Sequence, residues 1–132
     1  MNFIPFIEIS TSKGLLKFLI DTGANKNYIS PSHVNLDRCR FTDPTHVRNI
    51  SGSFVVNQFV EFNPFFTIAG TAPEIFYVFD FHPYFDGLVG YETLQKMKAN
   101  ILTSSNILQF PGGNIKMQKK ISRKSFNLHE CT

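Results

Sequence analysis

The chain has no tryptophan, only two cysteines and 17% charged residues. None of its apolar runs approaches the roughly 18 residues that a membrane span requires. Cys39 and Cys131 stand far apart and form no CxxC pair, so neither a zinc site nor a disulfide framework has support, and free thiols in a reducing compartment are expected. The four histidines, His33, His46, His82 and His129, show no ligand spacing, so no metal and no cofactor is expected. Met1-Asn2-Phe3-Ile4-Pro5 offers no basic region followed by an apolar signal core. The chain therefore reads as soluble and unexported, in the cytoplasm or an intracellular particle, with no membrane partner. The sequon at Asn49-Ile50-Ser51 is then read as coincidence. Also missing is the signature of disorder, low hydrophobicity with high charge. The 42% hydrophobic content, with fifteen phenylalanines among eight glycines and seven prolines, describes a folded, turn-rich domain. Its 132 residues can bury one core but are too few for two lobes of ordinary size.

The net charge of +3 is unevenly placed. Lys116, Lys119, Lys120, Arg123 and Lys124 are five of the thirteen basic residues, and Glu130 is the sole acid beyond residue 115. The preceding body thus holds eight basic against nine acidic side chains. A domain over residues 1–118 followed by a basic flexible tail or linker over 119–132 is expected, with nucleic-acid contact confined to that tail.

Along the body the pattern is one of strands. Phe6-Ile7-Glu8-Ile9 and the apolar run from Leu15 through Ile20 flank Ser10-Thr11-Ser12-Lys13-Gly14, which reads as a hairpin with a five-residue loop. Further strands are expected over residues 47–50, 54–62, 65–68, 75–81, 107–110 and 115–117. Turn signals between them include Asp43-Pro44, Asn63-Pro64 and Pro111-Gly112-Gly113-Asn114. A helix fits residues 91–99, which start with Tyr91 after Gly90, place Leu94 and Met97 on one face and put Lys96 and Lys98 in the last turn. An all-β sandwich or barrel-like domain with one short helix follows.

The chemistry concentrates in Phe18-Leu19-Ile20-Asp21-Thr22-Gly23-Ala24, where a carboxylate ends a strongly apolar strand. Such a group is costly to bury unless hydrogen bonds or its protonation state compensate. Alone, Asp-Thr-Gly is a turn with an Asx hydrogen bond. Sixty-five residues after Asp21, however, Asp86-Gly87-Leu88-Val89-Gly90 leads directly into the helix.

This ordered pair of motifs, spanning residues 5–118 with the β-rich middle, resembles the retroviral-type (retropepsin-like) aspartic proteases, in particular the protease domain of LTR retrotransposons of the gypsy/Ty3 class. The resemblance implies a half-barrel that acts as a homodimer and hydrolyses a Gag-Pol polyprotein. It assigns Asp21 as the catalytic aspartate, Thr22 as the residue bonding across the dimer and Gly23 as a contact to substrate backbone. Ala24, Asn25, Tyr28 and Leu88 would border the substrate, and Val89 and Gly90 would support the aspartate loop. Residues 46–60 would form the flap, with Ile50, Ser51 and Gly52 at its tip. Asp86 reads as a structural residue and not as a second catalytic carboxylate.

Two departures from the retroviral pattern stand out. An aspartate and an arginine that pair in the retroviral enzymes are replaced by Asn25 and Tyr91, so the local brace must differ. Pro5 matches a family proline, leaving residues 1–4 too short for the retroviral N-terminal strand. The dimer interface is therefore expected to lean on residues 106–117 and Thr22 and to be weak. An inactive, domesticated module of the same fold, used for dimerisation or peptide binding, is the alternative reading.

Overall fold

A computed structural model describes residues 2–122 apart from 13, 50, 51, 66, 67 and 71. Eleven strands and one α-helix follow in order: β1 (Asn2–Thr11), β2 (Gly14–Asp21), β3 (Asn27–Ile29), β4 (Arg40–Asn49), β5 (Gly52–Phe62), β6 (Glu74–Val78), β7 (Gly87–Gly90), α1 (Tyr91–Lys96), β8 (Asn100–Leu102), β9 (Ile107–Phe110), β10 (Gly113–Lys116) and β11 (Gln118–Ser122). Eight strands form one sheet in the order β11-β1-β2-β7-β3-β6-β5-β4, and β10-β9-β8 form a second. This is the expected all-β architecture with one short helix. No described helix is long and apolar enough to cross a membrane.

The centre of the large sheet explains its composition. β2 pairs in parallel with β7, and β3 in parallel with β6. Strands covered on both faces read as continuous apolar runs. In β2, Phe18 and Ile20 enter one cluster with Ile7, Ile29, Phe76, Val89, Leu94, Leu108 and Phe110. Leu19, pointing the other way, joins Ala24, Tyr28, Val47, Val56, Phe81, Phe85 and Leu88.

Several local expectations are corrected. The β1–β2 hairpin is tighter than a five-residue loop, because Thr11 pairs with Gly14; Gly14 takes φ +104°, a conformation that glycine adopts without a Cβ penalty. Asp43-Pro44 lies inside β4, where the register against β5 shifts between Phe41 and Thr45. A proline has no N–H for a ladder and is accommodated at such an irregularity. Phe65 is in a turn, its carbonyl accepting from Ile68 N and Ala69 N at 3.0 and 2.7 Å. The helix stops at Lys96, since Lys98 takes a left-handed φ of 56° and Ala99 N closes back on the Leu94 carbonyl at 2.9 Å.

Both chain ends also differ from expectation. Asn2 through Phe6 pair antiparallel with Ser122 through Gln118, so residues 2–4 are sheet and not a short stub. The domain therefore extends past residue 118, and residues 119–122, assigned to the tail from their charge, form an edge strand. Residues 123–132 lie outside the described residues. The β9–β10 hairpin, expected to carry the interface, packs Leu108 and Phe110 into the chain's own core.

Candidate active site

Asp21 is the last residue of β2 and retains 9% exposure at the end of the doubly covered strand. The backbone then turns sharply: Gly23 N donates to Asp21 Oδ1 at 2.8 Å and Ala24 N to the Asp21 carbonyl at 3.3 Å. A short carboxylate that accepts from the N–H two residues on is an Asx turn. Thr22 and Gly23 are left exposed, whereas Ala24 is buried.

The loop is held from behind by β7, whose Leu88, Val89 and Gly90 pair with Leu19, Ile20 and Asp21. A Cβ at Gly90 would sit 2.8 Å from the Ala24 carbonyl oxygen and closer still to that of Lys26, so the approach requires glycine. Past Gly90 the helix amides complete the clamp, Tyr91 N donating to the Ala24 carbonyl at 2.7 Å and Glu92 N to the Asn25 carbonyl at 3.3 Å. Asp21, Thr22, Gly23, Ala24, Asn25, Val89 and Gly90 are thus one constellation.

Tyr28 and Leu88 are placed side by side by the β3–β7 register, but both are buried under the β4–β5 hairpin. The Tyr28 ring lies 6.1 to 6.3 Å from those of Tyr77, Phe79 and Phe81. Burial, with the neighbouring Tyr77 adding to it, pushes the phenol up to about 12. The β4–β5 hairpin covers most of the residues expected to form the flap; Val47 and Val56 are buried against this cluster, and Phe54 packs on Phe79 at 5.3 Å. Of its tip, Ile50 and Ser51 lie outside the described residues; Gly52 opens β5 opposite Asn49.

Asp86 braces the support strand. Its Oδ2 accepts from Lys17 N at 2.8 Å, its Oδ1 lies 2.6 Å from His33 Nε2, and its own amide donates to the Lys17 carbonyl at 2.9 Å. Asn25 and Tyr91 stand where a different brace was expected, and two residues that sequence reading passed over supply it. Lys26 pairs with Glu92 at 2.9 Å, a hydrogen bond that raises the lysine above its ordinary value against some desolvation. Asn27, buried at the start of β3, donates to the Ile75 carbonyl at 3.1 Å and accepts from Gly90 N at 2.8 Å.

No family model matches the chain, and no curated protein does. Among solved structures, the crystal structure of the retroviral protease-like domain of Ddi1 from Leishmania major is similar at a TM-score of 0.59. The likeness covers 87% of this chain and 92% of that one. The fold is retropepsin-like. At 16% identity the likeness is one of fold. Within this retropepsin-like fold, Asp21 ends β2 and Gly90 pairs with it on the neighbouring strand β7.

Proposed function

We propose that the chain is an aspartic endopeptidase that works as a homodimer in the cell interior and cuts a polyprotein of the Gag-Pol type, as the gypsy/Ty3-like motifs imply. The observation that carries this reading is the carboxylate of Asp21, fixed by Gly23 N at the end of β2 and backed in register by Gly90. Hydrolysis by this chemistry needs two carboxyl groups, one to take a proton from water and one to protonate the substrate carbonyl or the leaving nitrogen. Two adjacent carboxylates resist joint ionisation and share a proton. One Asp-Thr-Gly per chain makes the second carboxylate the Asp21 of another copy, on a two-fold axis.

In this arrangement the water attacks the scissile carbonyl carbon while one Asp21 accepts its proton and the protonated partner donates to the carbonyl oxygen. Collapse of the tetrahedral gem-diol breaks the C–N bond: the proton held by the first carboxyl passes to nitrogen, while one diol hydroxyl returns its proton to the partner carboxylate and re-forms the C=O, restoring the shared-proton pair. Thr22, exposed beside Asp21, is free to bond across the axis. The peptide lies extended between loop and flap, pairing through its backbone.

Peptides spanning candidate polyprotein junctions test the proposal. Cleavage is expected from acidic to neutral pH and is expected to fall by about a thousandfold or more in Asp21→Asn. Cleavage that survives the substitution would overturn the enzymatic assignment. Peptide binding without cleavage in the unaltered chain would instead favour an inactive peptide-binding module.

A further inference from the structure

Asn27 lies six residues beyond Asp21, is 4% exposed, and has every side-chain hydrogen committed. Its Nδ2 donates to Thr93 Oγ1 at 2.6 Å and to the Ile75 carbonyl at 3.1 Å, while its Oδ1 accepts from Gly90 N at 2.8 Å. An amide side chain has two N–H donors and a carbonyl acceptor. The network continues outward, because Thr93 Oγ1 donates to Glu74 Oε1 at 3.1 Å and Lys96 Nζ to Glu74 Oε2 at 2.9 Å. Thr93 and Glu74 are buried, and the chain of bonds reaches solvent at Lys96, 66% exposed.

The inner end of this network decides what it does. Gly90 is the residue in register with Asp21 on the adjacent strand. It also precedes the first turn of α1, whose N-cap carries no side-chain bond of its own. Asn27 thus takes the Gly90 amide across the fold. Gly90 in turn has no slack, because its Cα faces the Ala24 and Lys26 carbonyl oxygens without room for a methyl group. Any displacement of Gly90 pushes on the loop that aims Asp21. An apolar residue at position 27 would pack in the same place but leave the Gly90 N–H buried without its acceptor.

We propose that Asn27 is a positioning residue for the Asp21 carboxylate, acting through the Gly90 peptide, with Thr93 and the Glu74–Lys96 pair as its outer anchor. The kinetic side of this inference rests on the peptidase reading; the geometric side does not. Catalytic groups lose rate when displaced by an ångström or less, even where the substrate still binds.

The test uses the full chain with Asp side-chain carboxyl carbons labelled, followed by NMR through a pH titration, alongside steady-state cleavage kinetics and thermal melting. Asn27→Ala is expected to move the Asp21 titration midpoint away from the wild-type value and to lower kcat about tenfold or more with KM within about twofold. Thr93→Val, which keeps the Asn27–Gly90 bond but removes the outer hydroxyl, is expected to shift both readouts in the same direction by less. It also decides the question if Asn27→Ala does not fold. Variants that melt lower but keep the wild-type midpoint, kcat and KM would overturn the inference, leaving Asn27 a matter of stability. If the unaltered chain cleaves no peptide, the peptidase reading fails and the Asp21 midpoint alone decides positioning.

Discussion

Along β2, Phe18 and Ile20 enter a core closed by α1, the β8–β10 sheet and Met117, whereas Leu19 between them enters a cluster closed in part by one hairpin through Val47 and Val56. The first cover comprises several chain segments, each with its own tertiary contacts. The second includes a hairpin that peptide entry, under the proposed function, requires to move. The difference teaches how one strand can serve a rigid scaffold and a working surface: alternation assigns successive side chains to opposite sides. The residue that ends the strand is Asp21.

The contrast breaks most directly under large-to-small substitution. Phe18 is fully buried against Phe62 and Phe76, with ring centroids at 6.1 and 5.9 Å, and Gly87 lies against its ring edge. Phe18→Ala is expected to cost about 3–5 kcal/mol in urea unfolding. Val56→Ala, on the hairpin, is expected to cost about 1–2 kcal/mol. Equal costs would mean that the hairpin cover is as integral as the other.

A smaller effect sharpens the comparison from the hairpin side at high pH. With Tyr28 raised from 10.0 to about 12, the unfolded chain releases this proton first. The contribution is therefore present below about pH 10 and is lost as pH rises through about 12, amounting to at most about 2–3 kcal/mol. Tyr28→Phe should remove this loss from the pH dependence of the urea midpoint. An unchanged profile would show that the phenol is not buried under the hairpin in solution.

The smallest expected effect lies at the base of the hairpin. Arg40 and Glu61 meet at 3.0 Å, but their side chains are 72% and 36% exposed. Arg40→Ala should change stability by no more than about 0.5 kcal/mol, because exposed ion pairs are weak. A larger loss would indicate that this pair helps hold the cover down.

Sequence reading reached the elements whose local pattern matches their surroundings. The apolar run ending in Asp-Thr-Gly, the Leu-Val-Gly element and the helix starting after Gly90 were legible because each combines burial with a local break. What escaped reading depended on distant partners. β3 has three residues and gains its place from β6 and β7. Asn27 reads as an ordinary loop amide because its partners stand 48, 63 and 66 positions away. Phe65 read as strand because a short apolar run does not distinguish a strand from a buried turn; its ring in fact packs on Phe110 at 4.8 Å. β11 read as a charged tail because edge strands commonly carry lysine, which discourages pairing with a foreign chain.

The pairing of Asn2 with Ser122 has a further consequence. Neighbouring strands stand roughly 4.8 Å apart, so the first and last described residues of the domain lie side by side on adjacent strands. A domain with such neighbouring ends can be inserted into a surface loop of a host protein without stretching the host backbone.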